Sequence, residues 1–103
     1  MAQVVKRKQY ENRQRGYTDS YQIAYQQEDN GTYTIWAEDR PHDPHRIATE
    51  AHVALDGEKV CVAGGKEPRS LERAEAIAHT WMLGYSEYVR TGTFPKGTRR
   101  VDV

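Results

Sequence analysis

The sequence predicts an α+β domain: a four-stranded antiparallel sheet, built as two hairpins in a meander, with one C-terminal amphipathic helix packed on one face. Three patterns predict it. Apolar residues recur at steps of three and four between Leu71 and Val89. Period-two alternation flanks Asp29-Asn30-Gly31, and a second alternation flanks Asp56-Gly57.

The helix covers 70–92. Leu71, Ala74, Ile77, Ala78, Trp81, Met82, Tyr85, Tyr88 and Val89 fall on one stripe, with Glu72, Arg73, Glu75, His79, Thr80, Glu87 and Arg90 opposite. Ser70 is the expected N-cap, because its hydroxyl can accept from an unpaired first-turn amide. Glu72 and Glu75 suit the positive end of the helix dipole and Arg90 the negative end. Gly92 can take the left-handed conformation that ends a helix, and Pro95 follows. Trp81, Tyr85 and Tyr88 require a flat apolar partner, which a sheet supplies.

In the first hairpin Tyr21, Ile23 and Tyr25 alternate with Gln22, Ala24 and Gln26, and Tyr33, Ile35 and Ala37 with Thr34, Trp36 and Glu38. A two-residue Asn30-Gly31 turn would set Ile23 opposite Glu38 and mix the faces. A three-residue loop, Asp29-Asn30-Gly31 with Gly31 left-handed, sets Tyr25 opposite Ile35 and Ile23 opposite Ala37, so this register is expected. Trp36 then points to the reverse face. The stretch 39–46, with two prolines, reads as a loop. A third strand is expected over 47–55, and a two-residue Asp56-Gly57 turn would set Val53 opposite Val60 and Ala51 opposite Val62. A meander is the simplest joining of the hairpins, since sequential strands usually neighbour one another.

The order of strand, Asp-x-Gly turn, strand and Ser-Leu-Glu-led helix resembles HicB-type antitoxin domains. The residues that carry the resemblance are Tyr21–Tyr33 around Asp29-Asn30-Gly31, and Ser70-Leu71-Glu72. The second hairpin, 47–63, and the histidine loop depart from that pattern, so no residue role is carried over.

At 103 residues the chain is one domain, read as 17–94 between a basic N-terminal arm, 1–16, and a basic C-terminal tail, 95–103. The arm lacks sustained periodicity and reads either as disordered or as a short polar helix ended by Gly16. With 37% hydrophobic residues and a mean hydropathy of −0.93, the core must be small. No apolar run approaches a membrane span and no signal peptide opens the chain, so no membrane partner and a cytoplasmic location are expected. Cys61 is the one cysteine, which excludes an internal disulfide and a multi-thiolate zinc site. Net charge is zero, but it is divided: +6 in the arm and tail, −6 in the body. Basic arms on an acidic body suit an anionic partner, and they equally suit solvated tails.

No catalytic or cofactor motif is present, and neither enzymatic activity nor a cofactor is expected. Pro41-His42-Asp43-Pro44-His45, with Glu50 and His52, gathers metal-ligand residue types, but their spacing matches no metal signature; His42 and His45 are weak candidates and a polar loop is the plainer reading. Gly64-Gly65-Lys66 before a helix lacks the longer glycine pattern ending in Lys-Ser or Lys-Thr that cradles phosphate. Cys61 across from His52 lacks a third orienting group and reads as a packed thiol.

Three function classes follow. The first is a non-enzymatic interaction or regulatory module that binds a protein partner or itself through the reverse sheet face, with Trp36, Thr34, His52 and Cys61 as contact residues. The second is a nucleic-acid-associated protein that contacts phosphates through Lys6, Arg7, Lys8, Arg13, Arg15, Arg99 and Arg100. The third, a metal-dependent or hydrolytic enzyme using His42, Asp43, His45 and His52, ranks last, because a domain this small has little room for a deep pocket.

Overall fold

The computed structural model describes residues 2–14, 16–42, 55–56, 58–62, 65 and 67–95, with Gln14, Leu55 and Asp56 described by backbone alone. It is an α+β fold: an open antiparallel sheet with one helix, α1 (Leu71–Thr91), against one face. The strands are β1 (Gln3–Gln14), β2 (Tyr17–Gln27), β3 (Tyr33–Asp39), β4 (Leu55–Asp56) and β5 (Lys59–Val60), in the spatial order β1-β2-β3-β5-β4.

The β2–β3 hairpin has the expected register, with Ile23 opposite Ala37, Ala24 opposite Trp36 and Tyr25 opposite Ile35. Its loop closes as the residue types require. The Glu28 amide donates to the Thr32 carbonyl at 2.8 Å and the Gly31 amide to the Glu28 carbonyl at 3.1 Å. Gly31 sits at φ +87, a conformation that a Cβ would strain. The Asn30 side-chain oxygen accepts from the Thr32 amide at 3.0 Å and from its hydroxyl at 2.7 Å, which fixes the loop internally.

The first departure is at the N-terminus. The stretch expected as an arm outside the domain forms β1, which pairs with β2 from Gln14–Tyr17 to Gln3–Gln27 with a bulge between Val4 and Lys6. It extends the sheet in plane rather than covering the reverse face. Contacts across the sheet and to the helix hold it. The Tyr10 and Tyr25 hydroxyls share a hydrogen bond of 2.7 Å, Asn12 donates to the Ser86 hydroxyl at 2.8 Å, and Lys6 pairs with Glu75 at 2.7 Å.

The second departure is the far hairpin. Leu55 lies opposite Val60 and Asp56 opposite Lys59, so the turn falls one residue later than the Asp56-Gly57 turn expected, and Val53 does not face Val60. The expected turn would have set Leu55 against Glu58; the shift exchanges that mismatch for an apolar pair. The strand expected over 47–54 lies outside the described residues. Nor is the sheet a simple meander. β5 lies beside β3, with Trp36 opposite Lys59 and the Ala37 amide bonded to the Glu58 carbonyl at 2.7 Å, while β4 is outermost.

α1 is bounded as its sequence implies. The Ser70 hydroxyl accepts from the Arg73 amide at 3.1 Å, and Gly92 at φ +82 returns its amide to the Tyr88 carbonyl at 2.7 Å. The Pro68 carbonyl accepts from the Tyr33 amide at 2.8 Å, which ties the lead-in of the helix to the start of β3. The core lies between helix and sheet. Tyr21, Ile23, Tyr25, Ile35, Ala37 and Val60 meet Ala74, Ile77, Ala78, Trp81, Met82, Tyr85 and Tyr88. Trp81 stacks on Tyr85 at 4.9 Å and meets the Tyr21 ring edge-on at 6.0 Å. Phe94 folds back after the cap and stacks on Tyr88 at 4.5 Å. Each such large side chain contributes about 1.5–3 kcal/mol by leaving water.

Candidate functional site

The face of the sheet opposite the helix was the expected contact surface. Trp36 and Thr34 do project there from β3, but into a polar setting. The Thr34 hydroxyl donates to Glu28 at 2.6 Å, and Gln26 donates to the same carboxylate oxygen at 2.8 Å. These bonds, that from Thr34 first, hold the Glu28 carboxyl below its ordinary range. Across the strands Glu38 accepts from Arg7 Nε and Nη2, at 2.8 and 3.0 Å, and from Gln22 at 3.0 Å. Its carboxyl is lowered too, chiefly by the Arg7 hydrogen bond. Trp36 is half-buried, its indole nitrogen is buried without a hydrogen-bond partner, and Ala24 opposite it is fully buried. Cys61 is half-buried after β5. His52 lies outside the described residues. The described part of this face is therefore a hydrogen-bonded polar layer around one indole rather than an apolar patch.

The basic residues of the N-terminal stretch are arranged by β1. Lys6 pairs with Glu75, Arg7 with Glu38, and Arg13 with Glu11 at 2.7 Å, while Lys8 stands 5.1 Å from the centre of the Tyr10 ring. From Lys6 onward even-numbered positions face the helix side and odd-numbered ones the reverse side, so the strand divides its cations between the faces instead of massing them. Arg15, Arg99 and Arg100 lie outside the described residues. His42 is exposed just beyond β3 and His45 is outside the described residues. Among the described residues no three His, Cys, Asp or Glu side chains come close enough to hold a metal ion.

Two hollows border these elements. One, of about 130 Å³, lies between β1 and the helix against Tyr10, Asn12, His79, Met82 and Leu83. The other, of about 390 Å³, is an open polar hollow against Glu38, Asp39, Arg40, His42 and Tyr85. The first is small for an organic ligand, and the second converges no unpaired catalytic set.

The feature missed in the sequence is the edge itself. β1 runs for 12 residues, and among the described residues it has β2 on one side and no strand on the other. The exposed large apolar side chains among the described residues, Val4 and Val5 at 40% each, both lie on it. The available signal was symmetry: Tyr10 lies as far before Arg15-Gly16 as Tyr21 lies after it, and the two are paired across the hairpin.

No family model, curated protein or solved structure matches this chain, so the resemblance to HicB-type antitoxin domains is carried no further. No helix among the described residues is long and apolar enough to cross a membrane.

Proposed function

We propose that this chain is a small non-enzymatic interaction module that binds an extended protein segment along the open edge of β1. One observation carries the reading: a 12-residue strand whose outer edge no described residue pairs, bearing the two exposed valines. Half of the backbone amides and carbonyls of an edge strand point away from its neighbour, and they recruit an added strand readily unless something covers them. The ion pairs of Lys6, Arg7 and Arg13 supply the contrast with phosphate binding, since a nucleic acid would have to displace a carboxylate from each. A reducing cytoplasmic setting accords with the single cysteine, Cys61.

The test is selection of displayed random peptides on the full chain and on Gln9→Pro, which removes an amide from the middle of β1. Peptides enriched on the parent and lost on the variant support strand capture. Enrichment that survives Gln9→Pro, or none at all together with an absence of self-association, overturns it.

A further inference from the structure

We infer that the strand captured by β1 is β1 of a second copy, paired antiparallel about a two-fold axis through Gln9; this rests on the edge-binding reading above. The two-residue connection between Gln14 and Tyr17 makes those residues a hydrogen-bonded pair. Alternation along the ladder then turns the backbone groups of Arg13, Glu11, Gln9 and Arg7 outward. A two-fold axis normal to the sheet must pair odd positions with odd ones, so that both helices lie on the same side of the joined sheet.

Charge selects the register. Centring on Arg7 or on Glu11 sets like charges face to face, and moving one step toward the turn from Gln9 sets Arg7 against Arg13. Centring on Gln9 sets Arg7, bound to its own Glu38, beside Glu11 of the second copy, bound to its own Arg13, so opposite charges alternate across the axis without either intrachain pair being broken. On the helix side the same register brings Lys8, already over its own Tyr10 ring, opposite Tyr10 of the second copy. The bulge between Val4 and Lys6 interrupts the ladder beyond Arg7. A two-fold pairing of β1 with β1 uses the same edge of both copies, so this contact closes at two.

Sedimentation equilibrium of the full chain across a concentration series, with cysteine cross-linking in a Cys61→Ser background, tests this. Gln9→Cys places two thiols across the axis on backbones about 5.5 Å apart, within disulfide reach. Glu11→Cys places them about 13 Å apart along the strands. The expected result is a dimer, cross-linked rapidly through Gln9→Cys and not through Glu11→Cys, and weakened about 30-fold by Gln9→Pro through loss of two interchain amide bonds. Helical circular dichroism confirms that each variant is folded. A dimer cross-linked preferentially through Glu11→Cys overturns the register. A monomer at every concentration that still captures displayed peptides overturns self-pairing and leaves the edge-binding module standing; a monomer that captures none overturns both.

Discussion

Arg90, in the last turn of the helix, donates to Asp19 near the start of β2 at 2.8 Å, so one ion pair fastens the far end of α1 to the sheet. The Asp19 side chain is 7% exposed and its second oxygen has no partner, while the guanidinium also lies 3.5 Å over the Tyr17 ring. The carboxylate therefore depends on this single cation for compensation.

Arg90→Ala should cost about 2–3 kcal/mol, because it strands a buried carboxylate and uncovers the Tyr17 ring. Asp19→Asn should cost less, since the charge it leaves unpaired, that of Arg90, is partly exposed to water. Urea unfolding of both variants checks the order; equal losses would show that the pair contributes only packing.

A buried chain of hydroxyls joins β1, β2 and the helix. Asn12 donates to Ser86, Ser86 shares a 2.7 Å bond with Tyr21, and the Tyr21 hydroxyl donates to the Met82 carbonyl at 3.1 Å. The last bond sets the direction of the others, so Ser86 donates to Tyr21 and accepts from Asn12. Tyr21→Phe removes both the donor to Met82 and the acceptor for Ser86. It should cost about 1–2 kcal/mol with the fold retained, read as a lowered thermal midpoint.

Gly31→Ala probes the loop on backbone grounds alone. A Cβ there meets nothing within 4 Å, yet φ is +87. The expected loss is about 1 kcal/mol with the β2–β3 register unchanged, as followed by amide exchange of Tyr25 and Ile35. A loss several times larger would place a hidden contact at the loop.

Stability should fall at both pH extremes, for opposite reasons. Glu28 and Glu38 have carboxyls lowered by hydrogen bonds from Thr34 and Arg7. Their contribution is present above the ordinary glutamate value of 4.5 and is lost as pH drops through the lowered folded values. Tyr21 and Tyr25 have phenols raised by burial, so their contribution is complete below 10.0 and erodes as pH climbs above it. Urea midpoints of Glu28→Gln and the parent across the acid limb should converge at low pH. Absorbance titration should show phenols, Tyr21 and Tyr25 among them, that ionise well above the ordinary tyrosine range.

The elements legible in the sequence were those that bury one face. Tyr21, Ile23 and Tyr25 against Ile35 and Ala37 left one register for the first hairpin, because any odd slip puts Glu38 into the core. The helix carried its own caps in Ser70 and Gly92. β1 was illegible because its helix-side positions are Lys6, Lys8, Tyr10 and Asn12, whose partners Glu75, Tyr25 and Ser86 lie far along the chain. An edge strand needs no apolar alternation when long polar side chains find cross-strand partners. The second hairpin slipped because Asp56-Gly57 is a strong local turn signal, whereas the preference of Leu55 for Val60 over Glu58 shows only when the pairs on both sides are compared. The polar setting of Trp36 was illegible too, since exposure cannot be read from residue type when a neighbour such as Glu38 is tied back by Arg7 and Gln22.

The order of the core has a consequence for synthesis. Tyr21, Ile23, Tyr25 and Ile35 leave the ribosome well before the residues that cover them, since Trp81 and Tyr85 follow some fifty residues later and Phe94 later still. The three-stranded sheet of β1, β2 and β3 is therefore made well before the helix that covers its aromatic face, and that face is closed only when residues 71–91 are available to pack on it.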